Sequence, residues 1–314
     1  MVMGSSPIMF ATIIEHTPIW LAFALASPAF WAIVHVLDAY CVDRIFDKPW
    51  MGLITSGLCT LAILPALWMI LLLQGIEPTS TIVIFQCLAC GLLFVASQQF
   101  YFQALSITES GIVAAYWNFI PLLLPVASYF LWGEWLTWRQ AAGSAVLVTG
   151  SVAFCLLDGN MQSRWSAFGM MFLGALLQVA YFLIQKDLLK SCPAFQGFVL
   201  ISSFIALIAI LPLVAAPIRR SLVSNWKTIR PVTGLLLAIE AANLTAIATS
   251  HYAVNHGIPS LVAAVESTIP GYTFVFSFLL YAMTGKIGEQ EAREHLPWKL
   301  SLVLLLAWGV WLVS

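Results

Sequence analysis

Ten runs of apolar residues, separated by short polar stretches, occupy most of this 314-residue chain. A helix needs about 20 residues to cross a hydrocarbon core of roughly 30 Å. On that ruler the predicted spans are 19–40, 52–73, 82–105, 109–131, 139–157, 167–186, 195–216, 232–254, 259–282 and 298–313. The chain is 61% hydrophobic and 9% charged, against about 45–50% and about 25% in soluble domains. A water-soluble globule is thereby excluded, and an integral, multi-pass membrane protein is expected. Lipid offers no partner for backbone N–H and C=O groups, so each span must satisfy its own. The runs exceed the length of a barrel strand and lack its apolar/polar alternation, which makes the predicted fold class all-α.

Indole rings favour the headgroup layer, and Trp20, Trp50, Trp132, Trp135, Trp138, Trp165, Trp226 and Trp298 all fall at predicted span ends. Thr137-Trp138-Arg139-Gln140 has the form of a capping box and fixes the start of the fifth helix. The formal net charge of -1 is too balanced, taken over the whole chain, for a nucleic-acid partner or a polybasic membrane-surface anchor. Met1–Thr17 has no Lys or Arg, so the first apolar run reads as a retained helix rather than a secretory signal. Cys87 and Cys90 form a CxxC, but no His or second CxxC stands near it. No metal site, disulfide framework or cofactor is expected.

Sliding the chain by 149 residues lays Ala104–Leu131 over Ala253–Leu280 without a gap, with nine identities in 28 positions. An apolar-biased composition would give roughly two or three. Five helices is an odd number, so a second copy starts on the opposite side of the membrane. The expected organisation is an N-terminal segment 1–18, a five-helix repeat at 19–157 and an inverted five-helix repeat at 167–314. Such a pair encloses a midplane cavity and can exchange which end is open. Ten of the 13 Lys and Arg residues fall on the side opposite the termini, which by the positive-inside rule would place both termini outside the cytoplasm.

Of 27 charged residues, only Glu240 and Glu266 sit well inside predicted spans. An acid at the bilayer centre costs several kcal/mol unless it faces a cavity, pairs or takes up a proton. At about 1.5 Å rise per residue, Glu240 lies about 12–14 Å and Asn243 about 16–18 Å from the face with the basic cluster. Glu266 lies about 10–12 Å from the other face. Asn243 and Glu266 thus fall at similar levels, and a hydrogen bond between them is expected. Glu266 and Glu240 are candidates for recognising a solute amine or exchanging a proton, or for a structural hydrogen bond. Trp117 and Asn118 match Glu266 and Ser267 under the 149-residue shift and are candidate pocket residues. Gln178, Tyr181 and Gln185 form one polar stripe, His35 and Asp38 another, and Gln99 with Gln103 a third. Each stripe faces either a neighbouring helix or a wet cavity. His251 is expected at a helix end near the interface. Pro121 and Pro270 each remove an i to i−4 hydrogen bond and read as a packing kink or a paired hinge. Ala238, Ala242, Ala246 and Ser250 form a small-residue ridge for close helix packing.

The segment Ala104–Leu157 resembles the EamA-type module of the drug/metabolite transporter superfamily. The resemblance rests on Ala104-Leu105, Pro121, Gly133-Glu134-x-Leu136-Thr137-x-x-Gln140-x-x-Gly143 and Gly150. In the second half it rests on Tyr252-Ala253, Ala264-x-Glu266-Ser267-Thr268-x-Pro270 and a closing Lys299–Val313 helix with Gly309. Phe30-Trp31-Ala32 and Asp38 are similar to bacterial members. Ala39 stands where those often have Lys, Gln103 replaces the Tyr kept at Tyr252, and Ala282-Met283 replaces the second Gly-Glu pair. The resemblance implies ten helices in two inverted five-helix repeats, a bacterial-type cytoplasmic membrane, cytoplasmic termini and movement of small organic solutes. A secondary transporter working by alternating access, proton-coupled or by exchange, is the function expected. A flippase for a lipid-linked sugar or head group is the alternative. An intramembrane enzyme is a third reading, although no HExxH, GxSxG or clustered His/Asp/Glu set is present. The expected partners are a small organic solute and the lipid bilayer, with a homodimer left open.

Overall fold

The computed structural model describes residues 19–108, 110–157, 164–285 and 296–313. Met1–Pro18 and the side chain of Cys155 lie outside the described residues. Helices account for nearly all of what is described, and no strand occurs among the described residues. In chain order they are α1 (Ile19–Arg44), α2 (Trp50–Gln74), α3 (Thr81–Leu105), α4 (Ser110–Tyr116), α5 (Phe119–Trp132), α6 (Trp138–Leu157) and α7 (Arg164–Leu188). Then come α8 (Ala194–Ile210), α9 (Ala216–Ile229), α10 (Thr233–His256), α11 (Pro259–Glu266), α12 (Ile269–Thr284) and α13 (Leu296–Val313).

Among the described residues, eight stretches are long and apolar enough to cross a bilayer: Ile19–Arg44, Trp50–Gln74, Thr81–Leu105, Ile112–Trp132, Trp165–Leu188, Ala194–Val214, Ala216–His256 and Pro259–Thr284. The helix α6 and the shorter apolar stretch Leu300–Val313 coincide with the two remaining apolar runs of the sequence. The 41-residue stretch Ala216–His256 would be roughly 60 Å long as one helix, twice the hydrocarbon core. A 3-10 turn at Arg230–Val232 divides it, and α10 alone carries the apolar run. Sequence reasoning had no place for α9, because Arg219, Arg220 and Lys227 interrupt its apolar pattern.

Two spans are broken rather than continuous. The first stops at Tyr116 and resumes at Phe119; the second stops at Glu266 and resumes at Ile269. Pro121 and Pro270 therefore occupy the first turns of α5 and α12, not helix interiors. A proline there costs little, since the missing N–H would have no helical partner anyway. The second half of each broken span ends on a left-handed glycine, Gly133 (φ 67°) and Gly285 (φ 64°). Their N–H groups donate to the carbonyls of Tyr129 and Tyr281. The cap that the sequence lacks at Ala282-Met283 is thus supplied about one turn later.

The most extensive packing joins α3 to α7 and α1 to α10, followed by α6 to α13, α2 to α8, and α3 to α8; α1 also packs on α12, and α5 on α7. Glycines set the closest approaches. A Cβ at Gly57 of α2 would stand 2.7 Å from Ala209 Cβ of α8, and one at Gly91 of α3 would stand 3.2 Å from the Ile205 backbone nitrogen. On the α6–α13 seam the contact is reciprocal: Gly143 faces the Val313 backbone nitrogen at 2.9 Å and Gly309 faces Leu147 at 2.8 Å. The ridge of Ala238, Ala242, Ala246 and Ser250 is buried only at Ala246 and Ser250; Ala238 is exposed. The Thr137 capping box forms as expected: the Thr137 N–H donates to Gln140 Oε1 at 3.0 Å and the Gln140 N–H to Thr137 Oγ1 at 3.3 Å. Large apolar side chains such as Leu73, Phe85, Phe130 and Leu304 face outward, an exterior suited to acyl chains and not to water.

Gly57→Val is expected to lower stability by about 1–3 kcal/mol through overpacking against α8. A Cβ at the exposed Gly169 meets nothing within 4 Å, so Gly169→Val serves as the control and leaves the melting temperature in detergent unchanged or raised.

Candidate functional site

Two chambers lie inside the bundle, and four side chains, Trp31, His35, Phe94 and Gln98, line both of them. The first chamber is built around Glu266, Asn118 and Gln178, with Trp117, Tyr181 and Phe182 as apolar walls and Ser250 and Ser267 on its rim. The breaks in the two discontinuous spans put these residues there. Trp117 and Asn118 form one break, while Glu266 is the last residue of α11 and Ser267 follows it in the other. At such breaks the helix ladder is interrupted, which in a membrane is tolerated where protein or a cavity replaces lipid.

Glu266 is half-buried, and its Oε1 accepts a hydrogen bond from Ser27 Oγ of α1 at 2.9 Å. The expected bond from Asn243 is absent. Asn243 Nδ2 instead donates to Glu240 Oε1, three residues earlier on the same helix, at 2.9 Å. Matching depth does not fix azimuth, and a residue at i+3 shares a helix face with residue i. Asn243 and Glu240 accordingly belong to the second chamber. There Glu240 is 2% exposed and also accepts from Ser56 Oγ at 2.5 Å and Thr60 Oγ1 at 2.7 Å. Three donors from two helices thus enclose one carboxyl group.

A third interior carboxyl, Asp38, accepts from Tyr101 Oη at 3.2 Å and lines the same second chamber. Sequence reasoning placed it only on a polar stripe, because α1 runs four residues further than the expected span and carries Asp38 inward. His35, on that stripe, is buried with no hydrogen-bond partner at Nδ1. It lies in an aromatic chain that separates the chambers. Ring centroids are 5.9 Å apart for Tyr181 and Phe94, 6.3 Å for Phe94 and Trp31, 6.4 Å for Trp31 and His35, 5.2 Å for His35 and Tyr101, and 6.3 Å for Tyr101 and Trp117.

The stripe on α7 divides between roles. Gln178 Nε2 donates to Ser97 Oγ at 2.7 Å while lining the first chamber. Gln185 Nε2 bonds Tyr181 Oη at 3.3 Å and His251 Nδ1 at 2.6 Å. His251, expected near the interface, is fully enclosed by the bundle; its position near the end of α10 fixed only its level, not its surroundings. Gln99 lines neither chamber; its neighbour Gln98 lines both. The polar pair Gln99 and Gln103 drew attention to the wrong face of α3, and a lone Gln98 gave no periodic signal. Asn118 is 2% exposed, yet neither Nδ2 nor Oδ1 has a partner among the described residues. Among the described residues, no Lys or Arg lines either chamber and no group of three or more potential metal ligands occurs.

Residues 18–156 match the family model of the EamA-like transporter family, which is part of the drug/metabolite transporter superfamily. This part of the multi-pass membrane protein is thus similar to that family. A solved structure described in the words "Crystal structure of protein" is similar in fold, with a TM-score of 0.60 at 16% identity, over 94% of this chain and 97% of that one. That likeness is one of fold with that structure and covers both halves of this chain. No curated protein matches the chain.

Removing the Glu240 carboxyl would strand three donors. Glu240→Ala is expected to cost about 1–3 kcal/mol and lower the melting temperature in detergent, whereas Glu240→Gln keeps an acceptor oxygen and recovers most of the loss.

Proposed function

We propose that this protein, whose residues 18–156 match the EamA-like transporter family, is a secondary transporter that moves a small organic solute across the membrane by alternating access. In this reading ten spans form two inverted five-helix repeats, 19–157 and 167–314, with α4–α5 and α11–α12 as the broken fourth and ninth spans. Three observations support it. The breaks fall within one residue of each other under the 149-residue shift, and each ends on a left-handed glycine. The packing is symmetric when the halves are exchanged: α3 on α7 corresponds to α10 on α1, and α5 on α7 to α12 on α1. The α6–α13 and α2–α8 pairs map onto themselves.

The observation that carries the functional reading is the Glu266 chamber. It places an acid, an unpartnered buried amide and an aromatic wall at the meeting point of both broken spans. Buried polar groups are almost always satisfied. Asn118 can both donate and accept, which suits a bound solute completing its hydrogen bonds. With no cationic side chain in the lining, a phosphate or carboxylate would find no counter-charge, while an amine would find Glu266. Neutral and amine-bearing solutes with an apolar part therefore fit best. Glu266, Asn118, Trp117, Gln178, Tyr181 and His35 are assigned to solute binding. Glu240 and Asn243 are assigned to the second chamber through which the solute passes. Pro121 and Pro270, at the breaks, act as the paired hinge.

Liposomes containing the purified protein are expected to take up a solute drawn from a panel of amines, amino acids, sugars and nucleotides. Glu266→Gln should change that uptake at least tenfold while leaving the melting temperature within a few degrees; wild-type uptake unaffected by the substitution rejects the role of Glu266. Because Asn118 makes no hydrogen bond in the protein, Asn118→Ala is expected to leave stability within about 0.5 kcal/mol of wild type. It should nevertheless raise the half-saturating solute concentration several-fold. A large loss of stability with unchanged uptake would make Asn118 a structural residue.

A further inference from the structure

The helix α9 belongs to neither chamber. It follows the apolar stretch Ala194–Val214 and precedes the apolar α10, so both its ends are tethered where spans leave the hydrocarbon. One face is committed to the protein: Leu222, Asn225 and Ile229 are buried. Leu222 and Ile229 join a cluster with Cys41, Ile45, Phe46, Met51, Leu236 and Ile239. That packing fixes which way the opposite face points. At 100° per residue, Trp226, Arg219, Arg230, Val223, Lys227 and Arg220 fall in sequence around an outward arc of about 120°, with Arg230 in the turn that follows the helix.

All four cations on this arc are exposed. None forms a salt bridge: the one ion pair among the described residues is Lys190 with Asp187, elsewhere in the fold. No acidic residue occurs in the sequence between Asp187 and Glu240. Apolar groups share the arc, with Val223 68% and Trp226 46% exposed. Exposed cations around an aromatic and an aliphatic side chain, on a helix lying between two spans, have the composition of an interfacial helix. The whole-chain net charge of -1, which argued against a polybasic surface, averages this local cluster away.

We propose that the outward face of α9 is a docking surface for anionic phospholipid headgroups of the adjoining leaflet. Arg219, Arg220, Lys227 and Arg230 pair with headgroup phosphates, and Trp226 and Val223 insert at the level of the acyl boundary. Charge complementarity selects the occupant. A lipid phosphate is held at this depth by the bilayer itself, and Arg forms bidentate contacts with phosphate oxygens. Each basic residue near an anionic surface is worth about a fivefold gain in affinity, and the effect shrinks as salt shortens the Debye length.

The test uses full-length protein reconstituted in phosphatidylcholine vesicles doped with spin-labelled phosphatidylglycerol or spin-labelled phosphatidylcholine. At low salt, wild type is expected to hold the phosphatidylglycerol probe at least fivefold more strongly, with the preference falling at high salt. The variant Arg219→Gln/Arg220→Gln/Lys227→Gln/Arg230→Gln should lose most of that preference. The charge-conserving variant Arg219→Lys/Arg220→Lys/Arg230→Lys should keep it, which separates lost charge from a disturbed fold. A wild type without preference, or a glutamine variant that retains it, overturns the proposal. Millimolar inorganic phosphate abolishing the preference would also overturn it, by assigning the site to a free anion. None of these readouts depends on solute transport.

Discussion

Lipid cannot hydrogen-bond, and the placement of the interior carboxyl groups among the described residues answers to that constraint. Outward positions carry Leu, Ile, Phe and Val, while the three interior carboxyl groups each find hydroxyl or amide donors inside the bundle. The distribution is graded. Glu240 has three donors, Asp38 has Tyr101, and the half-buried Glu266 faces a chamber with the Ser27 and Ser250 hydroxyls beside it. A carboxyl enclosed by donors contributes to the structure of the bundle. One left partly open toward a chamber retains capacity for something the protein does not itself contain.

The same constraint explains why the chamber sits at the helix breaks. A broken helix in hydrocarbon leaves carbonyls and N–H groups without partners, so a break is tolerable only where protein or water takes their place. Here part of the repair is local: the Ile120 N–H donates to the Trp117 carbonyl, and Ser151 Oγ of α6 donates to the Ser267 carbonyl. The prolines then start the second halves in a conformation their fixed φ already favours. A break repaired in this way brings two consecutive side chains, Trp117 and Asn118, off the regular helical register. The other break does the same for Glu266 and Ser267. Two breaks facing one cavity concentrate unusual chemistry at a point that uninterrupted helices would fill with packing.

What the sequence made legible followed the strength of the physical signal. Apolar length located the helices to within a few residues, because lipid punishes errors in hydrophobic length, and the Thr137 capping box fixed its boundary through two specific hydrogen bonds. The 149-residue self-match pointed to Pro121 and Pro270, and to Trp117 with Asn118, by position alone. Azimuth was much harder to read. Asn243 and Glu266 share a depth but face different chambers, Gln99 drew notice that Gln98 warranted, and His251 proved enclosed. In a bundle apolar on all sides, the hydrophobic pattern gives a helix no preferred face, and only rare polar side chains mark one. A single Gln or Ser carries too little signal to do so, which is why Ser27, Ser56 and Thr60 emerged only from the three-dimensional arrangement.

The aromatic chain from Tyr181 to Trp117 bears on how two chambers could serve one solute. Trp31, His35, Phe94 and Gln98 face both sides of it, so no rigid wall of backbone divides the chambers; the division consists of side chains on α1 and α3. The helices α1 and α3 pack most extensively on α10 and α7 respectively, each the partner of the other pair under exchange of halves. The layer is therefore carried mainly by helices of the first half and held in place by helices of the second, so in the proposed reading a shift of one half against the other would change the contacts that hold it. His35, whose Nδ1 has no partner among the described residues, stands in that layer and lines both the chamber of Glu266 and the chamber of Glu240, which makes it the polar group at the junction that the proposed path would cross.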